Sequence, residues 1–181
     1  MKTINELMEI IDINDIFFEK LELPNNVYGY YQNSNAESYI LISDKVNLSN
    51  NESLYKCILA EEIGHYFTCI GNNVPHKSNS YHSDLLIEKQ EVKAIKWATD
   101  YLIDTDLLLD YLRHNTMAKL SDIADHFQVT EDFIIRKLEF MKRKDCFWQL
   151  KDEIYLYLMD LPTIAIVDIW DPDFYEYLDS Y

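Results

Sequence analysis

The segment "ILAEEIGHYF", Ile58 to Phe67, gathers three side chains that can ligate an ion or move a proton: Glu61, Glu62 and His65. Residues four apart on a helix stack on one face, so Glu61 and His65 project together while Glu62 lies about 100° around the axis. Two ligands with an offset carboxylate suit a hydrolytic metal site. The pair grips the ion, and the third group takes a proton from the attacking water. The common form of this pattern is His-Glu-x-x-His. Here it reads Glu-Glu-x-x-His, with a carboxylate where the first imidazole usually stands. A catalytic zinc also needs a third protein ligand and an open fourth position.

These side chains must be positioned by two helices. "NLSNNESLYKCILAEEIGHYFTCIG" offers Ser49 or Asn50 as N-cap, Glu52 in the first turn and Gly71 as a stop after Ile70, which puts the motif in mid-helix. After the loop-like "GNNVPHKSNSYHS", Asp84 to about Ile103 is strongly helical in composition. There Glu88, Glu91, Ala94 or Ile95, and Ala98 form a stripe whose small residues admit a neighbouring helix. Glu91, with Ala94 one turn on, is the better third ligand. Glu88 remains an alternative, and His76 or His82 could swing in from the loop to replace the missing imidazole. Taken singly, a Glu on an acidic helix is ordinarily a solvated residue, and a lone His is more often hydrogen-bonded than metal-bound.

Upstream, Ile4, Leu7, Met8 and Ile11 have helical spacing, and "DIFFEKLELP" reads as a strand that Pro24 ends. "VYGYYQ" and "SYILIS", separated by "NSNAE", suit a hairpin and predict a small antiparallel sheet. Beyond Asp104, "LSDIADHFQVTEDFIIRKLEFM" spaces its apolar residues as two helices about a short turn, with Thr130 placed to cap the second. "EIYLYL" reads as a short strand before the C-terminal segment.

The bulk numbers bound the function classes. A chain of 181 residues with 48% hydrophobic residues, 3 Gly and 4 Pro folds as one or two globular units without long linkers. No apolar run approaches the ~20 residues that span a bilayer, and "MKTINELMEI" lacks the pattern of a signal peptide, so a cytoplasmic protein is expected. Cys57, Cys69 and Cys146 are odd in number and lack C-x-x-C spacing, which fits reduced thiols. A formal charge of -16 repels phosphate backbones and anionic lipid. After Lys151 the chain has no Lys or Arg, yet it holds Asp152, Glu153, Asp160, Asp168, Asp171, Asp173, Glu176 and Asp179.

"CILAEEIGHYFTCIG", then "EVKAIKWATDYLI", then "LSDIADHFQVTEDFIIRKLEFM", in that order, resembles the ImmA/IrrE family of metallopeptidases. The resemblance covers roughly residues 27 to 143. It implies an antirepressor of a phage or mobile element, which cleaves or inactivates a cognate helix-turn-helix repressor. It also implies metal ligands at Glu61, His65 and Glu91, with Glu62 as general base. Glu61 departs from the family motif. Two carboxylates and one neutral imidazole bring a Zn²⁺ shell to about zero net charge, where two imidazoles and one carboxylate leave about +1. Bound water is then acidified less, so weaker activity is expected, and the harder oxygen ligands admit Mn²⁺ or Mg²⁺ as competitors.

As a DNA reader, the second helix of the 120–142 segment would present Glu131, Asp132, Arg136, Lys137, Glu139 and Lys142. Acids at its N-terminal end argue against entry into a groove, so direct DNA binding is not expected. Packing or a protein partner is the expected role, and the basic end "RKLEFMKRK" could dock an acidic stretch, including the chain's own tail over the metal cleft. The expected fold is α+β. A zincin-like metallopeptidase core with a small antiparallel sheet occupies 1–105, a helix-turn-helix-like region 106–145, and a short strand with an acidic tail 146–181. The rival function is a degenerate member that binds and blocks the repressor without cutting it; a direct transcription regulator is a third.

Overall fold

Thr3 opens the first helix, α1 (Ile4–Ile13): its hydroxyl accepts the Glu6 N–H while the Glu6 carboxylate accepts the Thr3 N–H. The computed structural model describes residues 1–24, 26–34, 37–46, 51–69 and 81–170, with the backbone alone for 81–87. Leu7 and Ile11 of α1, one turn apart, are buried against the rest of the core.

Three strands follow: β1 (Phe17–Leu21), β2 (Gly29–Ser34) and β3 (Glu37–Ser43). β2 and β3 form the expected antiparallel pair, with Tyr31 opposite Ile40. The sheet is not purely antiparallel, however, because β1 joins β3 in parallel, Phe18 opposite Ile40, for the order β1-β3-β2. The reason lies in burial. β3 is the most apolar strand, its Ile40 and Ile42 are wholly buried, and the central position pairs both of its edges. β2 is left as an edge.

Helix α2 (Glu52–Thr68) runs through the "ILAEEIGHYF" segment, as expected. Its cap is Asn51, whose side chain accepts the Leu54 N–H at 3.1 Å, one residue later than the expected Ser49 or Asn50. The helix ends at Cys69, with Ile70 and Gly71 outside the described residues. Helix α3 (Tyr81–Leu102) packs against α2.

Asp104 caps α4 (Thr105–His114), a helix not foreseen from the sequence, by accepting the Asp106 and Leu107 N–H groups. Then come α5 (Leu120–Phe127) and α6 (Glu131–Lys142), joined by a tight turn in which Gln128 is left-handed, φ 54°. Thr130 caps α6 through the Phe133 N–H, as its position in the sequence suggests. Where one strand was expected there are three: β4 (Phe147–Lys151), β5 (Ile154–Tyr157) and β6 (Ala165–Asp168), an antiparallel sheet in the order β4-β5-β6. "EIYLYL" forms its centre, since a lone strand leaves both edges unpaired.

The architecture is thus α+β, with six helices and two three-stranded sheets among the described residues. Its apolar core is continuous from Leu7, Ile40 and Leu59 through Leu108, Phe127, Ile134 and Leu138 to Leu156. No helix among the described residues is long and apolar enough to cross a membrane. The acidic tail from Asp171 lies outside the described residues.

Candidate metal centre

Two glycines set the geometry. At Gly64, in the middle of the motif, a Cβ would press into the backbone of Ala94, 3.0 Å from its carbonyl carbon. Ala94 is itself fully buried, so α2 and α3 meet backbone to backbone at this level. Glu91 lies one turn before Ala94 and His65 follows Gly64, and the close approach brings the two side chains together. His65 Nε2 stands 3.3 Å from Glu91 Oε2.

One ligand atom each from Glu61, His65 and Glu91 lies within 4.8 Å of the others. Three donors bound tetrahedrally at ~2.0–2.1 Å would stand ~3.3 Å apart. The His65–Glu91 edge already has that length. The edges to Glu61 are no longer than 4.8 Å. The triad could therefore hold a divalent ion. Glu88 is exposed and stands outside the cluster; His76 and the side chain of His82 lie outside the described residues.

Glu62 occupies a drier place. It is buried, and a Cβ at Gly29 on the edge strand β2 would collide with its carboxylate, 2.9 Å from Cδ. Only glycine leaves room for the carboxylate against that strand. Burial pushes the Glu62 carboxyl up to about 8; the His65 charge opposes this, and Glu61 and Glu91 add to it. Glu61 is also raised, first by burial, which outweighs the pull of His65, with the Glu91 charge adding to it. For His65, burial disfavours the charge, but hydrogen bonds to Glu91 and Cys69 and the nearby carboxylates outweigh it and lift the imidazole to about 9. Three acidic side chains, Glu61 and Glu62 withdrawn from water and Glu91 exposed, thus surround one imidazole. A cation would relieve their repulsion.

The imidazole is held on several sides. Tyr31 of β2 stacks parallel to it at 6.3 Å between centroids, and Nδ1 lies 3.4 Å from Cys69 Sγ. Tyr31, Cys69, Gly29 and Gly64 were not singled out from the sequence. For Cys69 a signal existed, since it follows His65 by four residues. For Tyr31 and Gly29 there was none, because their place depends on how β2 lies on α2. Lys137, counted among the residues a DNA reader would present, is 1% exposed and paired to Asp100 at 2.7 Å, so it is not available to a phosphate.

No protein-family model, curated protein or solved structure matches this chain.

Proposed function

We infer that this chain is a metal-dependent endopeptidase of zincin-like design, active in the cytoplasm as an antirepressor that cleaves a cognate helix-turn-helix repressor. The observation that carries the hydrolytic half of this reading is the convergence of Glu61, His65 and Glu91, with the buried Glu62 beside them. The repressor as substrate rests on the likeness of the three segments to the ImmA/IrrE pattern. α5 and α6 fit its helix-turn-helix part, and their anchored lysine favours contact with protein over DNA.

In this reading Glu61, His65 and Glu91 would hold a Zn²⁺ or Mn²⁺ ion, which when bound would supply Lewis acidity toward a carbonyl and a water. Glu62 would take a proton from the attacking water and return it to the leaving amine. Its burial raises the carboxyl above its ordinary value, which makes it a stronger base toward water than an exposed glutamate once ionised. β2, an edge strand of its sheet among the described residues, carries Gly29 next to Glu62, where an extended peptide could pair with it.

Glu61 favours a second reading, in which the chain binds the repressor and blocks it without cutting, because a neutral shell activates water less. One experiment separates the two. Purified protein is assayed for zinc and manganese by elemental mass spectrometry and for cleavage of the repressor, beside Glu62→Gln, Glu61→Ala and His65→Ala. The peptidase reading expects about one ion per chain, lost in the two ligand variants, and a drop in cleavage of roughly 10²–10⁴-fold in Glu62→Gln with metal retained. Undiminished cleavage by Glu62→Gln would sink it. Repressor binding without cleavage would favour the blocking reading.

A further inference from the structure

Cys69 touches His65 twice. As the residue that closes α2 it donates its backbone N–H to the His65 carbonyl at 2.9 Å, and its sulfur lies 3.4 Å from the imidazole Nδ1. The other ring nitrogen, Nε2, faces Glu91. The assignment of donor and acceptor follows from this arrangement. An imidazole that gives its Nε2 lone pair to an ion must carry its proton on Nδ1, and an imidazolium carries one there as well. In either state Nδ1–H donates and the thiol sulfur accepts.

Ligating histidines usually direct their second N–H at a carboxylate or a backbone carbonyl. Around the His65 ring, the described contacts are Tyr31 on its face, Glu91 at Nε2 and Cys69 at Nδ1. The carboxylates nearby belong to the ligand side. The geometry points to Cys69 as a positioning residue: its sulfur accepts the Nδ1–H of His65 and holds the imidazole with Nε2 directed at an ion shared with Glu61 and Glu91. The thiol is suited to the place because it accepts a hydrogen bond without bringing a further negative charge beside three carboxylates. Its spacing makes this cheap to build, since a helix already aligns residues four apart.

This inference rests on the metal-centre reading, and its test keeps the two apart. Wild type, Cys69→Ser and Cys69→Ala are stripped of metal, and their zinc affinity is measured by competition with a chromophoric chelator. Thermal unfolding of the metal-free proteins and ¹⁵N spectra of the imidazole rings are recorded beside it. Cys69→Ala is expected to bind zinc roughly tenfold more weakly. Cys69→Ser, whose hydroxyl accepts the same N–H, should recover most of the loss, and both should unfold close to wild type when metal-free. A slowly exchanging His65 Nδ1–H should be present in zinc-loaded wild type and Cys69→Ser and absent in Cys69→Ala. If Cys69→Ala binds zinc as tightly as wild type, or if Ser and Ala lose affinity alike, the positioning role is overturned while the metal centre stands. If wild type itself takes up no zinc, the metal centre falls and the positioning role falls with it.

Discussion

Buried charge is handled in two opposite ways in this molecule. Between the site helices and those after Asp104, two lysines are buried with oxygen acceptors at their ammonium groups. Lys56 of α2 donates to the carbonyls of Phe127, at 2.9 Å, and Lys2, at 3.2 Å, and Lys137 of α6 donates to Asp100 of α3. At the candidate metal centre the balance is reversed, with Glu61, Glu62 and Glu91 gathered about His65 and no lysine or arginine bonded to any of them among the described residues. Both regions satisfy their hydrogen bonds, since no buried side-chain nitrogen or oxygen among the described residues lacks a partner. The difference is in charge. The buried ammonium groups already have oxygen acceptors, whereas burial raises the Glu61 and Glu62 carboxyls above their ordinary values, and a cation held by the triad would relieve the crowding of acids.

That contrast predicts opposite responses to the removal of charge. Lys56→Ala leaves the Phe127 and Lys2 carbonyls without their donor and should cost about 2–4 kcal/mol, read from urea unfolding. Conversely, Glu62→Gln should leave the metal-free protein at least as stable as wild type, because it removes a buried group whose ionisation is disfavoured. A destabilised Glu62→Gln would break the comparison.

A smaller effect is expected where the two helices touch. Gly64→Ala gains up to ~1 kcal/mol of helix propensity but drives a methyl into the Ala94 backbone, for a net loss of about 1–2 kcal/mol. It should weaken zinc binding as well, because parting α2 from α3 carries Glu91 away from His65. Unchanged zinc affinity in a folded Gly64→Ala would show that this contact does not set the site.

The third effect is one of pH. In the metal-free protein Glu62 titrates near 8 rather than 4.5, and His65 near 9 rather than 6.5. Each folded-state value lies above the unfolded one, so the folded chain keeps protons that the unfolded chain has released. Stability from Glu62 is therefore lost as pH rises from about 4.5 through 8, and stability from His65 from about 6.5 through 9. Metal-free protein should unfold more easily at pH 9 than at pH 6.5, and Glu62→Gln should show a shallower decline. Zinc affinity should rise over the same range, because His65 must shed its proton to bind. Parallel pH profiles for wild type and Glu62→Gln would show that Glu62 carries no part of this linkage.

Much of the candidate site's arrangement was legible because its first half is local. Glu61, Glu62 and His65 lie on one helix, and a period of 3.6 residues fixes which of them share a face. The hairpin of β2 and β3 and the Thr130 cap were legible for the same reason, as each joins residues close in the chain. The parallel pairing of β1 with β3 was not, since alternation along a strand is the same whichever neighbour it takes. The outer strands β4 and β6 have mixed burial and short runs, and only their hydrogen bonds to "EIYLYL" distinguish them from loop.

What the sequence determined by itself, then, is the helical face that carries Glu61 and His65, the offset of Glu62, and the formal net charge of -16. Only the tertiary structure decided how near Glu91, already preferred over Glu88, comes to His65, that Gly29 makes room for Glu62, and that Lys56 and Lys137 are struts instead of surface charges. The physical reason is common to all three. A helix fixes neighbours three and four residues apart, whereas the meeting of α2 with α3, β2 and the end of α5, and of α3 with α6, depends on how closely separate elements approach, and here that is set at Gly64, at Gly29 and at the two buried ammonium groups.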